Sequence, residues 1–174
     1  MSAHGPCRGR GVAKNDTDWR VTVPDPFTIS GMALESIFSL AGMAAMAGWL
    51  LLILLPRVRI AQQIAGIALP LLLAGTYLAL IAIHAPGAPG GFGSLAQVAS
   101  LFSRPELLLA GWIHYLAFDL FIGGWETRDA TRHGVPHLLV IPCLLLTFML
   151  GPIGLLAYFA LRTWRTRGLE IATS

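Results

Sequence analysis

The chain of 174 residues is 55% hydrophobic and only 12% charged, with a formal net charge of +3 and a mean hydropathy of +0.68. Soluble domains carry roughly a quarter charged residues, so this shortage points to lipid as the solvent and excludes an ordinary soluble domain. The positive charge is arginine apart from Lys14 and falls in short clusters between apolar runs, which suits loops at a headgroup surface and argues against nucleic acid as a partner.

Residues 1–31 are polar and irregular and contain no central apolar run, so they read as a disordered tail and not as a secretory signal. Met32 directly precedes the first apolar run, which makes an over-extended translation start an alternative. The membrane domain is expected over 32–165, followed by a C-terminal tail over 166–174. Cys7 lies in the tail and Cys143 in an apolar run, with no CxxC pair, so no disulfide framework and no thiolate zinc site is expected.

The first run, "SIFSLAGMAAMAGWLLLILL" at 36–55, carries no charge and matches the ~20 residues needed to cross a bilayer. Ala41, Ala44, Ala45 and Gly48 give small-xxx-small spacing that lets a second helix approach closely. The second run, 64–83, holds Pro70, which membrane helices tolerate at the cost of a kink. The Gly/Pro loop at 84–94 follows no strand and precedes no Lys-Ser/Thr pair, so a phosphate cradle is excluded on context. Ser94 is placed to cap a short interfacial helix with Leu95, Val98, Leu101 and Phe102 on one face. Ser103 and Glu106 have capping-box spacing before the third run, 107–124. Residues 125–137 read as a polar turn, with Trp125 as an interfacial anchor. Pro136 opens the fourth run, 138–161, which Pro142, Gly151, Pro152 and Gly154 should bend. The "RTWRTR" stretch places arginines beside the membrane.

The expected fold is therefore an all-α integral membrane protein: four transmembrane helices in a bundle, with a short interfacial helix between the second and third. Four crossings put both termini on one side. Lys and Arg number eight on that side against four on the other, which favours cytoplasmic termini.

Two misfits interrupt the third run. Asp119, roughly 8 Å inside the expected helix end, must be paired, protonated or wet, because a bare carboxylate in lipid costs several kcal/mol. Tyr115 and Glu126 share its face, with Trp112 beside them. His114 lies about 140° round the wheel from Asp119. Asp119 and His114 are the catalytic candidates. Trp112, Tyr115, Phe118, Glu126, Asp129 and His133 are the candidates for lining a substrate site. The bland alternatives are an interhelical hydrogen bond for Asp119, for instance to Thr147, and a satisfied buried histidine for His114. With His114 and Asp119, the residues Glu126, Asp129, His133 and His137 could furnish an oxygen and nitrogen metal site, but Gly134 and Pro136 interrupt any helix that would align His133 with His137, so no metal is expected; the sequence names no cofactor.

The blocks "LESIFSLAG…GWLLLILLPR", "GGFGSLAQVASLF", "GWIHYLAFDLFIGGWETRDA" and "PHLLVIPCLLLTFMLGPIGLLAY" resemble, in order and spacing, the abscisic-acid-deficient-four-like family of small membrane proteins. The resemblance covers about 32–165. In plants that family is implicated in forming neoxanthin from violaxanthin, and the Gly/Ala/Arg bias here is closer to its bacterial branch. The resemblance implies a multi-pass protein of the bacterial cytoplasmic membrane and gives weight to His114, Asp119, Asp129 and His133 as motif positions. Three functions follow as expectations. One is carotenoid or isoprenoid isomerisation, with Asp119 as acid and His114 as base acting on a lipophilic polyene. The second is a non-catalytic pigment-binding or assembly subunit, with a homo-oligomer or membrane complex as partner. The third is a small transporter or proton path.

Overall fold

A computed structural model describes residues 29–166 of the chain. Seven α-helices follow in order: α1 (Ile29–Leu54), α2 (Arg59–Gln63), α3 (Leu69–His84), α4 (Leu95–Leu101), α5 (Pro105–Arg132), α6 (His137–Leu150) and α7 (Pro152–Thr166). A π-helical segment, Ile64–Ala68, joins α2 to α3 without a break. Three helical stretches are long and apolar enough to cross a bilayer: Gly31–Leu54, Arg59–His84 and Pro105–Arg132. The described chain is a membrane protein built from helices alone.

The π segment is the answer to Pro70. Proline cannot donate to the carbonyl four residues back, so the preceding turn widens, and the Leu69 N–H reaches back to the Ile64 carbonyl. The widened turn buries Ala65 and Gly66 against α5. There a Cβ on Gly124 would stand 2.6 Å from the Gly66 Cα, so the two backbones touch. Of the small residues expected to pack α1, Ala41, Ala45 and Gly48 are buried, together with Trp49 and Leu52. In lipid such contacts are held by dispersion and close fit, since leaving water supplies no drive there.

The central element is α5, which packs against α1, α3, the π segment, α6 and α7. It runs eight residues past the expected end at Gly124. Trp125–Arg132 contains neither glycine nor proline, and its polar side chains find partners on α6 and α7, so the helix continues until Gly134 (φ +67°) and Pro136 stop it. The polar turn expected at 125–137 is thereby reduced to 133–136. Two smaller expectations are corrected as well. Ser103 forms no capping box: its hydroxyl donates to the Ser100 carbonyl, and Arg104 with Pro105 opens α5. The ring of Trp125 packs on Tyr158 and Phe159, at 5.6 and 5.5 Å between centroids, and serves the α5–α7 contact. The Ser94 cap does form, its hydroxyl accepting from the Gln97 N–H at 3.2 Å, and α4 buries no residue.

The fourth apolar run is where sequence and structure part most. It does not form one bent helix over 138–161. Gly151 (φ +45°) reverses the chain, and α7 packs back along α6, closely enough that a Cβ on Gly154 would collide with the Thr147 backbone. In a continuous helix residues seven apart are roughly 10 Å apart along the axis. The direction is fixed by three contacts with α5. Gly151 meets Asp119, Tyr158 bonds Asp129, and Arg162 bonds His133. So α6 enters from the end where α5 finishes, reaches the middle of α5, and α7 returns to the same end. Four crossings with both ends together are replaced by three long helices and a hairpin. Consistently, α1 begins beside the start of α5, where Leu34 and Glu35 share a groove with Pro105 and Leu108.

Candidate functional site

One stripe of α5 carries Tyr115, Asp119, Glu126 and Asp129 and is continued by His133 at the helix C-cap, at spacings of four, seven, three and four residues. Those steps keep side chains on one face of a helix. The hairpin lies on that face. Because α5 extends to Arg132, Asp119 stands near its midpoint, about 20 Å from either end.

From the α5 C-terminal end inward, the stripe is first tightly bonded and then open. Asp129, 5% exposed, accepts from the Tyr158 hydroxyl at 2.6 Å and faces Arg162 Nε at 3.2 Å. Arg162 Nη2 lies 2.9 Å from His133 Nε2. Arginine only donates, so Nε2 must offer its lone pair. The proton is therefore assigned to Nδ1, which sits 2.8 Å from the Asp129 carbonyl oxygen. Asp129, His133, Tyr158 and Arg162 thus form a network that ties α5 to α7, in which Arg162 Nη1 is buried without a hydrogen-bond partner. One turn deeper, Glu126 is fully buried and both its oxygens accept from the Thr147 hydroxyl, at 3.0 and 3.2 Å. Thr147, one of the alternative partners that the sequence offers Asp119, serves Glu126 instead.

Asp119 is different. It is only half-buried, and its Oδ2 is shielded without a hydrogen-bond partner. It faces the elbow of the hairpin, where a Cβ on Gly151 would lie 2.9 Å from Oδ1. Glycine is needed there twice, for the left-handed φ and for the carboxyl's room. Proline follows as the first residue of α7, where its missing N–H costs nothing. The closing "GPIG" is thus a turn that lays the start of a helix beside a carboxyl group, an electrostatically favourable place for a negative charge. The Tyr115 hydroxyl donates to the Phe148 carbonyl at 3.0 Å and lies next to Asp119.

The remaining candidates point elsewhere. His114 is exposed and packs between Tyr77 of α3, at 5.4 Å, and Phe118, at 4.5 Å. The structure does not bring it to Asp119. Trp112 is 43% exposed and tilts between Phe38 and Tyr115. His137 bonds the Ile53 carbonyl at 2.9 Å and stays apart from Glu126, Asp129 and His133. Cys143 is buried and free.

Sequence reasoning missed Arg162 and Tyr158. By sequence Arg162 reads as one of three arginines beside the membrane, with Arg165 and Arg167, yet it is 1% exposed. The signal was present in the spacing: Gly154, Tyr158 and Arg162 recur every four residues, so they line one face of a short helix.

A family model described as ABA DEFICIENT 4-like matches residues 36–158, a stretch that takes in α5 and the elbow at Gly151. No curated protein and no solved structure matches the chain.

Proposed function

The chain belongs to the ABA DEFICIENT 4-like family, and we propose that it is a multi-pass protein of the bacterial cytoplasmic membrane that isomerises a lipophilic polyene by acid–base chemistry at Asp119. A single observation carries this reading. Of the three carboxyl groups on the α5 stripe, Asp129 and Glu126 are held by Tyr158, Arg162 and Thr147, while Asp119 keeps a shielded oxygen without a partner at mid-helix. A half-buried carboxyl group at the hydrophobic midplane is reachable by a substrate dissolved in the bilayer and free to exchange a proton with it. An isomerisation needs one proton given to an oxygen or carbon and one taken from carbon, so neither substrate composition nor the protein's proton count changes. His114 faces away and takes no part in that step.

The topology proposed with it has three crossings and a re-entrant hairpin, with α4 lying in the interface. Arg57, Arg59, Arg132 and Arg165 stand at one end against Arg104 at the other; with Arg8, Arg10, Lys14 and Arg20 counted on the side where α1 starts and Arg167 on the side where α7 ends, the totals are five and five, so the positive-inside rule assigns neither end to the cytoplasm.

The test is expression of the full chain in a carotenoid-producing bacterial host, with the pigments separated by chromatography. The wild type should generate an isomer absent from the vector control. Asp119→Asn should lower its yield by about 10²-fold or more, the usual loss for a general acid–base group. The variant protein should reach the membrane in equal amount and elute as the wild type does. Full conversion by Asp119→Asn rejects the assignment. Pigment that co-purifies with the wild type and the variant alike and is never converted would favour the pigment-binding role.

A further inference from the structure

The face of α5 turned away from the hairpin holds a second polar pair. Tyr77 and His114 line a half-open cavity of about 540 Å³ between the end of α3, the 85–94 loop, α4 and the start of α5. Its other lining includes Ile81, Leu101, Phe102 and Leu107, and no Lys, Arg, Asp or Glu side chain contributes. Each of the two polar groups makes an aromatic contact, yet among the described residues neither the Tyr77 hydroxyl nor a ring nitrogen of His114 has a hydrogen-bond partner. They stand roughly 10 and 14 Å in from the ends of their helices. Tyr77 is half-buried and His114 exposed, so in a bilayer their unpaired polar atoms face hydrocarbon, at a cost in free energy that a bound partner would recover.

The cavity wall is built. The Gly93 N–H donates to Gln97 Oε1 at 3.0 Å, and Arg104 reaches the His84 carbonyl at 3.4 Å. Phe102 closes onto Gly111, where a Cβ would lie 2.7 Å from its ring. Phe118, whose ring is 4.5 Å from His114, lines a second, separate groove of about 280 Å³ on the α3–α5 seam. Its lining, from Ile67 and Pro70 to Ala117 and Phe121, is wholly apolar.

We propose that this cleft binds an uncharged, lipid-soluble alcohol. Its hydroxyl sits between Tyr77 and His114, and its hydrocarbon lies in the groove toward Pro70. A hydroxyl both donates and accepts, so it satisfies a phenol and an imidazole together. A volume in the range of about 300–1,000 Å³, mostly apolar with a few convergent polar groups, is typical of small-molecule sites. A phospholipid does not fit this chemistry, because its phosphate would meet no cation in the lining. The site uses nothing of Asp119, so binding here and isomerisation there succeed or fail separately.

The experiment is photolabelling of the full chain in phosphatidylcholine nanodiscs with a diazirine-bearing long-chain alcohol, followed by peptide mapping. Labels should concentrate in peptides covering 67–92 and 101–121 and be displaced by excess unlabelled alcohol. Tyr77→Phe combined with His114→Leu should reduce that labelling by about tenfold, as expected for losing two modest hydrogen bonds. Gly111→Leu, which pushes Phe102 into the cavity without touching the polar pair, should reduce it similarly, and Asp119→Asn should leave it unchanged. All variants are compared at equal thermal midpoint and elution volume; should the double variant unfold, Tyr77→Phe alone and Gly111→Leu decide the matter. Undiminished labelling in the folded variants overturns the proposal. So does equal labelling of the same peptides by a diazirine phosphatidylcholine that the alcohol cannot displace.

Discussion

Where α5 packs on α3 and the π segment, the contact is mostly carbon against carbon, with Gly124 on Gly66 and Leu73 and Leu80 beside Ala110, Ile113 and Ala117; the Arg128 guanidinium over Gly66 and the Tyr77–His114 ring contact are its polar members. Where α5 packs on the hairpin, buried polar pairs join an apolar cluster of Leu120, Ala130, Val140 and Leu144: Glu126 with Thr147, and Asp129 with Tyr158 and Arg162. The two seams suit two kinds of neighbour. A long helix satisfies its own backbone and needs only a close fit to a partner. A hairpin that turns back at mid-depth has no such self-sufficiency. Its elbow interrupts the helical ladder, and the Phe148 carbonyl there accepts from the Tyr115 hydroxyl of α5; its two arms are only 14 and 15 residues long, and side-chain polar bonds anchor it to the long helix.

The contrast breaks most completely if the hairpin is in fact a fourth crossing. Ala88→Cys and Trp164→Cys, each in a background lacking Cys7 and Cys143, should react with a membrane-impermeant maleimide from opposite sides of sealed vesicles. Reaction from the same side would restore four crossings. Next in size is the ion pair. Asp129→Leu leaves the Arg162 guanidinium buried and uncompensated and should destabilise the protein by about 3–5 kcal/mol, read as thermal unfolding in detergent. Adding Arg162→Met should recover much of that loss; no recovery would show that the two side chains act separately. The apolar seam answers to size alone. Gly124→Ala forces apart two backbones in contact and should cost about 1–3 kcal/mol, while leaving labelling of the hairpin cysteines unchanged. Thr147→Val is the mildest, removing one donor from Glu126 for about 1 kcal/mol, the scale measured for interhelical hydrogen bonds in membranes. A loss as large as that of Asp129→Leu would make Glu126, and not Asp129, the main anchor.

Composition and periodicity determined the class: apolar runs of membrane length, an all-helical chain and a stripe on α5 with Tyr115, Asp119 and Glu126 in line. Spacing along one helix is a local property, so the wheel also separated His114 from Asp119 correctly. What the sequence did not carry was direction. Nothing local distinguishes a bend at Gly151 from a reversal, because glycine permits both and only the fit of Gly154 on Thr147 selects one. The length of α5 was hidden for a related reason. "WETRDATR" looks like a solvated turn until Tyr158 and Arg162, some thirty residues on, are folded against it. Charge in a loop and charge in a buried network have the same composition. Whether a carboxylate faces water or an arginine is decided by packing between distant segments, and only the tertiary structure supplies that.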